Sequence, residues 1–312
     1  MDLGVQVEPQ FGFSYEAVRD IARAAHAAGF TRLWVSDHLF LAKDSVAVDC
    51  LEAWTLLAAL ARDTEGIRIG PMVSAQSYRN PALLAKMAAG VDRMSGGRLD
   101  FGVGAGWKDV EYKAYGYDFP DAGTRVTQLV ETLEICTRLW REERATYRGK
   151  TYRIEDAVAS PKPVQDPLPI WIGGTKPRVM RIAAKWAHWF NMSNPGTSAA
   201  DRIAAMKPAL ADACKAVGRD PKTLKTSLFV IAYVAPSRGE LNDLLDELAR
   251  RAKQPREQWL ASRPGALSGT TDEVATKLRD IAKAGIDHAN VMLPYGRELE
   301  GLRALAQVAR DR

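Results

Sequence analysis

Arg98-Leu99-Asp100-Phe101-Gly102-Val103-Gly104-Ala105-Gly106-Trp107 runs from an apolar strand straight into a glycine-rich turn with an aromatic at its rim. Glycines on alternate residues strip the turn of side chains, so a flat or phosphorylated ligand can approach its main chain closely. The spacing is not that of a dinucleotide fingerprint. No helix start follows directly, and the first strand-to-helix turn of the chain has no equivalent. The doubly wound open sheet, the main competitor among α/β folds, is thereby disfavoured against a closed barrel. A similar rhythm returns in Pro169-Ile170-Trp171-Ile172-Gly173-Gly174-Thr175, a second strand opening into a side-chain-poor turn.

Outward from these two strands the chain alternates strand and helix every 30 or so residues. Asp2 to Val7, Arg32 to Ser36, Ile67 to Val73, Arg98 to Val103, Ile170 to Ile172, His188 to Met192, Thr226 to Val234 and His288 to Leu293 read as strands. Between them lie helical periodicities with recognisable punctuation: Gly29 as a C-cap, Pro81 in a first turn, and Thr270 with Glu273 as a capping box. Eight strands alternating with helices predict a (β/α)8 TIM barrel, an α/β fold, as a single domain over 1–312. An excursion over 142–167, after the fourth helix, reads as turns and extended segments, and the remaining extended loops belong to the C-terminal face of the barrel.

The 312 residues are 46% hydrophobic and 26% charged, with a formal net charge of +5. Basic and acidic residues interleave, which argues against a nucleic-acid groove. No run approaches the eighteen or so apolar residues of a membrane span, and Met1-Asp2-Leu3-Gly4 lacks the basic start of a secretion signal, so a cytoplasmic location is expected. Cys50, Cys136 and Cys214 are widely spaced without a C-x-x-C pair, and read as packing residues rather than a disulfide framework or zinc site. With only His26, His38, His188 and His288 in the chain, a metal centre is not expected. No Gly-x-Ser-x-Gly elbow is present for a serine hydrolase.

In a barrel the reactive groups stand just past the strand ends. These positions are Ser36-Asp37-His38, Val73-Ser74-Ala75-Gln76, Ala105-Gly106-Trp107 with Glu111, Gly173-Gly174-Thr175, Asn191 to Asn194, and Pro294-Tyr295. Asp37 beside His38 invites proton transfer, although His38 can equally begin a loop and bond only to main chain. Gly173-Gly174-Thr175-Lys176-Pro177 precedes a helix whose free N–H groups suit an anion, with Lys176 or Arg178 to add charge; a simple helix-starting turn has the same sequence. Phe40, Tyr78, Trp107 and Tyr295 are placed to wall a pocket for a flat ring, whereas Trp34, Trp54, Trp140 and Trp186 belong to the core. A flat-ring wall, an anion grip and one acid/base pair point to chemistry supplied by an organic cofactor.

Val35-Ser36-Asp37-His38-Leu39, Ser77-Tyr78-Arg79-Asn80-Pro81 with Leu84-Ala85-Lys86, Asp92-Arg93-Met94-Ser95-Gly96-Gly97-Arg98, Gly102 to Trp107 with Glu111, Pro161-Lys162-Pro163-Val164-Gln165 and Ile170 to Gly174 fall in the order of the bacterial luciferase-like oxidoreductases. The chain resembles most the branch that uses the 5-deazaflavin coenzyme F-420. The resemblance implies a non-prolyl cis peptide at Met72 and Val73, with Ser74 beside it, against which a tricyclic ring leans. It further implies that Asp37 meets the polar edge of that ring, that Gly104, Ala105, Gly106 and Trp107 line its site, and that Gly173, Gly174 and Thr175 hold its phosphate. His38 and Glu111 match positions associated with proton transfer. The chain departs from the sugar-phosphate-oxidising relatives, which carry a glutamate where Trp107 stands, so an apolar or planar substrate is expected. The expected function is hydride exchange between coenzyme F-420 and a small organic molecule. An FMN-dependent two-component monooxygenase fed by a separate reductase, and a non-catalytic flavin-binding barrel, are the alternatives; a homodimer is compatible with the alanine-rich helices.

Overall fold

The computed structural model describes residues 1–193 and 196–311. Its strands are β1 (Asp2–Val7), β2 (Arg32–Val35), β3 (Arg68–Pro71), β4 (Ser74–Ala75), β5 (Phe101–Gly104), β6 (Ala145–Arg148), β7 (Arg153–Ala157), β8 (Ile170–Gly173), β9 (Trp189–Met192), β10 (Lys225–Ala235), β11 (Leu267–Thr270) and β12 (His288–Met292). The main sheet runs β3-β2-β1-β12-β10-β9-β8-β5-β4, and every pairing in it is parallel. β3 and β4 are two halves of one stave, interrupted at a cis Met72–Val73 peptide. β4 pairs with β5, and the Ile69–Leu99 bridge ties the lower half to the same neighbour, so the sheet closes into an eight-stave barrel.

Helices α1 (Tyr15–Ala28), α2 (Ala53–Asp63), α3 (Pro81–Met94), α4 (Asp109–Ala114), α5 (Ala122–Arg141), α6 (Pro177–Trp186), α7 (Ala199–Ala216), α8 (Arg238–Arg251), α9 (Arg256–Ala261), α10 (Thr271–Lys283) and α11 (Glu298–Arg310) clothe it. Their ends follow the local signals. The Ser14 hydroxyl accepts from the Ala17 N–H, Gly29 closes α1 at φ +98, and Thr270 with Glu273 forms the capping box. Trp34, Trp54 and Trp140 are buried as core, with Trp186 half-buried. Among the described residues no helix is long and apolar enough to cross a membrane.

Three features go beyond the sequence reading. The excursion after α5 contains an antiparallel hairpin, β6–β7, whose turn is pinned by the buried carboxylate of Glu131 accepting from the N–H groups of Lys150, Thr151 and Tyr152 at 2.7–3.0 Å. Asp92 similarly receives the N–H groups of Val164 and Gln165, so the Pro161–Gln165 motif fastens the excursion to α3 rather than serving a ligand. β11, a Leu-Ser-Gly-Thr stretch too short for a periodicity to register, extends the sheet by pairing with the outer end of β10.

The lumen explains where a cavity can form. At its base Asp100 receives Arg32 and Arg68 at 3.0 and 2.8 Å. Above them Trp34, Trp171, Trp189 and His288 fill the bore; Trp171 stacks on Trp189 at 4.3 Å and meets Trp34 edge-on at 4.6 Å. Because alternate residues of a strand face the same side, the next inward layer is Gln6, Ser36, Met72, Gly104, Gly173 and Asn191, mostly small or polar. The change from tryptophan to glycine and serine opens the barrel mouth.

Candidate active site

A cavity of about 550 Å³ lies over that small-residue layer, within the usual range for a ligand pocket. Asp37, His38, Met72, Val73, Gly104, Ala105, Gly106, Trp107, Glu111, Gly173, Gly174 and Thr175 all line it. Thirteen positions were expected at the site, and only Ser74 stands behind its wall, fully buried. Ser74 bridges instead: its hydroxyl donates to Asp37 at 2.9 Å and accepts from the Trp54 indole at 3.0 Å.

The proton-transfer pair differs from the one adjacent in sequence. Asp37 is held by Arg79 through two hydrogen bonds of 2.7 and 2.8 Å, and also accepts the Ala75 N–H at 3.0 Å. His38 turns to Glu111, 73 residues on, with Nδ1 3.0 Å from Oε2. Short helix α4, which no periodicity in the sequence announces, carries Glu111, which is fully buried. Its carboxylate also receives the Leu39 N–H at 2.9 Å, the Tyr78 hydroxyl at 2.8 Å and the Lys108 ammonium at 3.0 Å. Burial by itself raises its pKa, but the hydrogen bond and charge of His38, with those of Leu39 and Tyr78, outweigh it and bring the pKa down to about 2. An ionised Glu111 accepts only, so Nδ1 carries the proton and Nε2 is the ring nitrogen left for chemistry.

The glycines of the 102–106 turn serve the fold before any ligand. A β-carbon at Gly102 would come within 1.9 Å of the Pro71 carbonyl oxygen, one at Gly104 within 2.7 Å of Val73, and one at Gly106, where φ is +78, within 1.8 Å of the Tyr112 hydroxyl. Their absence lets β3, β4 and β5 close around the cis peptide. Gly173 is different: the nearest atom to such a carbon is 3.7 Å away, an ordinary contact, at a position that lines the cavity.

At the other end of the cavity α6 begins at Pro177 with no side chain capping its first N–H groups. Lys176 and Arg125 line the cavity there. Arg125 lies over Phe119 at 3.9 Å, and its buried Nε meets no acceptor among the described residues. Arg178 is taken up by Gly123 and Thr127 of α5 and adds nothing to this end. An uncapped helix start with two cations beside it has the chemistry that suits an anion. Arg125 escaped the sequence reading because it lies on a helix, not at a strand end.

Several expected positions prove structural. Gln76 is fully buried against Gln128, Thr132 and Tyr152. Tyr295 packs on Phe13 at 4.8 Å, away from this cavity, and Phe40 stacks with Tyr115 at 6.3 Å. Tyr78 and Trp107 do wall the mouth. Asn191 and Ser193 line the floor, and Asn194 lies outside the described residues. Cys136 and Cys214 are packing residues, while the half-buried Cys50 thiol, raised to about 11 mainly by burial, donates to the His38 carbonyl at 3.3 Å.

The chain has relatives among known proteins. An F420-dependent glucose-6-phosphate dehydrogenase of Nakamurella multipartita is 30% identical over 267 residues, covering 84% of this chain and 74% of the relative. The pyrimidine monooxygenase RutA of Stutzerimonas stutzeri is 26% identical over 312 residues, covering 96% and 83%. Among solved structures, an F420-dependent secondary alcohol dehydrogenase in complex with an F420-acetone adduct superposes with a TM-score of 0.82 at 18% identity, covering 98% of this chain and 97% of that one, which shows the shared fold. The model of the luciferase-like monooxygenases matches residues 2–288, nearly the whole barrel from β1 to the start of β12. With its closed barrel, interrupted third stave and glycine-lined mouth, the chain belongs to the luciferase-like monooxygenase family.

Proposed function

We propose that this protein is an oxidoreductase that exchanges hydride between coenzyme F-420 and a small organic substrate. The observation that carries the reading is the His38–Glu111 pair, 3.0 Å apart, opening onto a cavity whose other end is an uncapped helix start flanked by Lys176 and Arg125. The residues present suit a phosphorylated tricycle. A flat ring would be held against the adjoining main chain of Met72–Val73 and Gly104–Ala105 beside Gly173, and its phosphate by the first turn of α6, Thr175 and Arg125, whose Nε meets no acceptor among the described residues. When bound, the deazaflavin supplies hydride transfer; the barrel supplies binding, orientation and proton delivery.

His38 Nε2 is the group assigned to proton movement. Glu111 holds the imidazole in one tautomer through Nδ1 and balances its charge when Nε2 takes a proton. With Asp37 committed to Arg79, His38 is the proton-transfer group toward the substrate, and Asp37 acts through Ser74 and Ala75 on the shape of the cis turn. The F420-dependent dehydrogenase relative at 30% identity supports the choice of cofactor.

A second reading, an FMN-dependent monooxygenase, draws support from the pyrimidine monooxygenase relative, which spans 96% of this chain. Separate titrations of the purified protein with F-420 and FMN, followed by absorbance and fluorescence, discriminate the two. Saturable F-420 binding with oxidation of the reduced deazaflavin by an organic acceptor is expected. Tight FMN binding with no response to F-420 would reverse the assignment.

A further inference from the structure

Resting on the F-420 reading, we infer that the substrate of this chain is an uncharged, planar molecule that lies against the indole of Trp107 with its reacting atom beside His38. Trp107 is 72% exposed although it stands at the lip of a cavity. Its ring meets the His38 imidazole edge-on, centroids 5.7 Å apart at 90°, so a molecule flat on the indole presents its edge to the imidazole. Beside Lys108, which lines the cavity and donates to the Leu41 carbonyl, Leu41 and Tyr115 are exposed outside the lining at 38% and 56%, and Tyr115 stacks onto Phe40 and Tyr117. Exposed aromatic surface of this extent at a pocket mouth is unusual unless something covers it.

The groups around His38 offer a phosphate ester no unpaired lysine or arginine of the cavity lining. Among the described residues, Lys108, the lysine that lines the cavity beside His38, is already engaged, as is Arg79 behind the wall. Lys108 donates to the carbonyls of Phe40 and Leu41 and to Glu111. Arg79 is bound by Asp37 and Glu52. Asp37, Glu52 and Glu111 thus hold Arg79, Lys108 and His38 in ion pairs and hydrogen bonds at this wall. The other lining cations, Lys176 and Arg125, stand at the α6 end, where the cofactor phosphate is assigned; Arg125 donates to the Pro120 carbonyl and pairs with no carboxylate among the described residues. An anionic substrate would therefore find no free lysine or arginine of the lining where it reacts. Trp107, expected from sequence to line the cofactor site, becomes on this geometry the specificity-determining residue.

The experiment uses the protein loaded with F-420. Calorimetric binding of menadione, a neutral naphthoquinone, is compared with that of glucose 6-phosphate for the unaltered protein, Trp107→Phe and Trp107→Ala, alongside turnover with the reduced cofactor. Menadione is expected to bind, with Trp107→Ala raising its Kd and KM about tenfold, Trp107→Phe staying within about threefold, and F-420 affinity holding in both. Tighter binding or faster turnover of glucose 6-phosphate than of menadione, no menadione binding at millimolar concentration, or an unchanged Kd in Trp107→Ala would each overturn the inference. Failure of the unaltered protein to bind F-420 would instead remove the cofactor assignment, which the same titration reads first.

Discussion

Glu111 concentrates the chemistry of the site at a single residue. A buried carboxylate accepting from His38, Leu39, Tyr78 and Lys108 is held ionised well below the usual range, to about 2 against 4.5. Its lowered pKa means that its stabilising contribution is complete above about pH 4.5 and is lost as the pH falls toward 2. Denaturation midpoints measured between pH 6 and 2 should therefore fall more steeply for the unaltered protein than for Glu111→Gln; parallel profiles would contradict this. Turnover should drop by about 10²-fold or more in His38→Ala, and comparably in Glu111→Gln, which leaves Nε2 in place but unsupported. Sequence adjacency suggested Asp37 as the partner of His38. The two side chains leave the main chain in different directions, so His38 finds Glu111 and Asp37 finds Arg79.

At the scale of elements, the two glycine turns have different origins and should respond differently to a methyl group. Gly102→Ala forces a β-carbon against the Pro71 carbonyl across the β3–β5 seam, and should destabilise the protein by about 3 kcal/mol, read as a lowered denaturant midpoint. Gly173→Ala meets only ordinary contacts, so it should unfold like the unaltered protein while weakening cofactor binding about tenfold, since the methyl occupies ligand space. Loss of stability in both, or in neither, would show that the distinction drawn from their surroundings is wrong. The α6 turn adds a further expectation: Arg125→Met, which keeps the stem over Phe119, should weaken binding of a phosphorylated flavin about tenfold at low salt and leave a flavin without phosphate unaffected in equilibrium titrations.

Over the whole molecule, closure depends on joining the third stave to the fourth. The Ile69–Leu99 bridge and the buried Asp100, shared by Arg32 and Arg68, secure the lower part of that seam, beneath the tryptophan layer. Asp100→Asn leaves two guanidinium groups without their shared anion and should cost about 3 kcal/mol, seen as a lower thermal midpoint with cofactor affinity intact once folded. Retention of the original midpoint would show that closure does not need the plug.

The alternation of the eight barrel strands with helices, the helix caps at Gly29 and Thr270 and most of the cavity's lining were legible in the sequence, because they rest on local periodicity and on the rule that strand ends make the mouth. Tertiary structure alone decided which carboxylate meets His38, that Gly102 and Gly104 yield to neighbouring staves, that Arg125 reaches the anion end, and that Trp107 stands free at the rim. Those relations join residues far apart in the chain, and a linear pattern carries no record of which side chains burial will bring together.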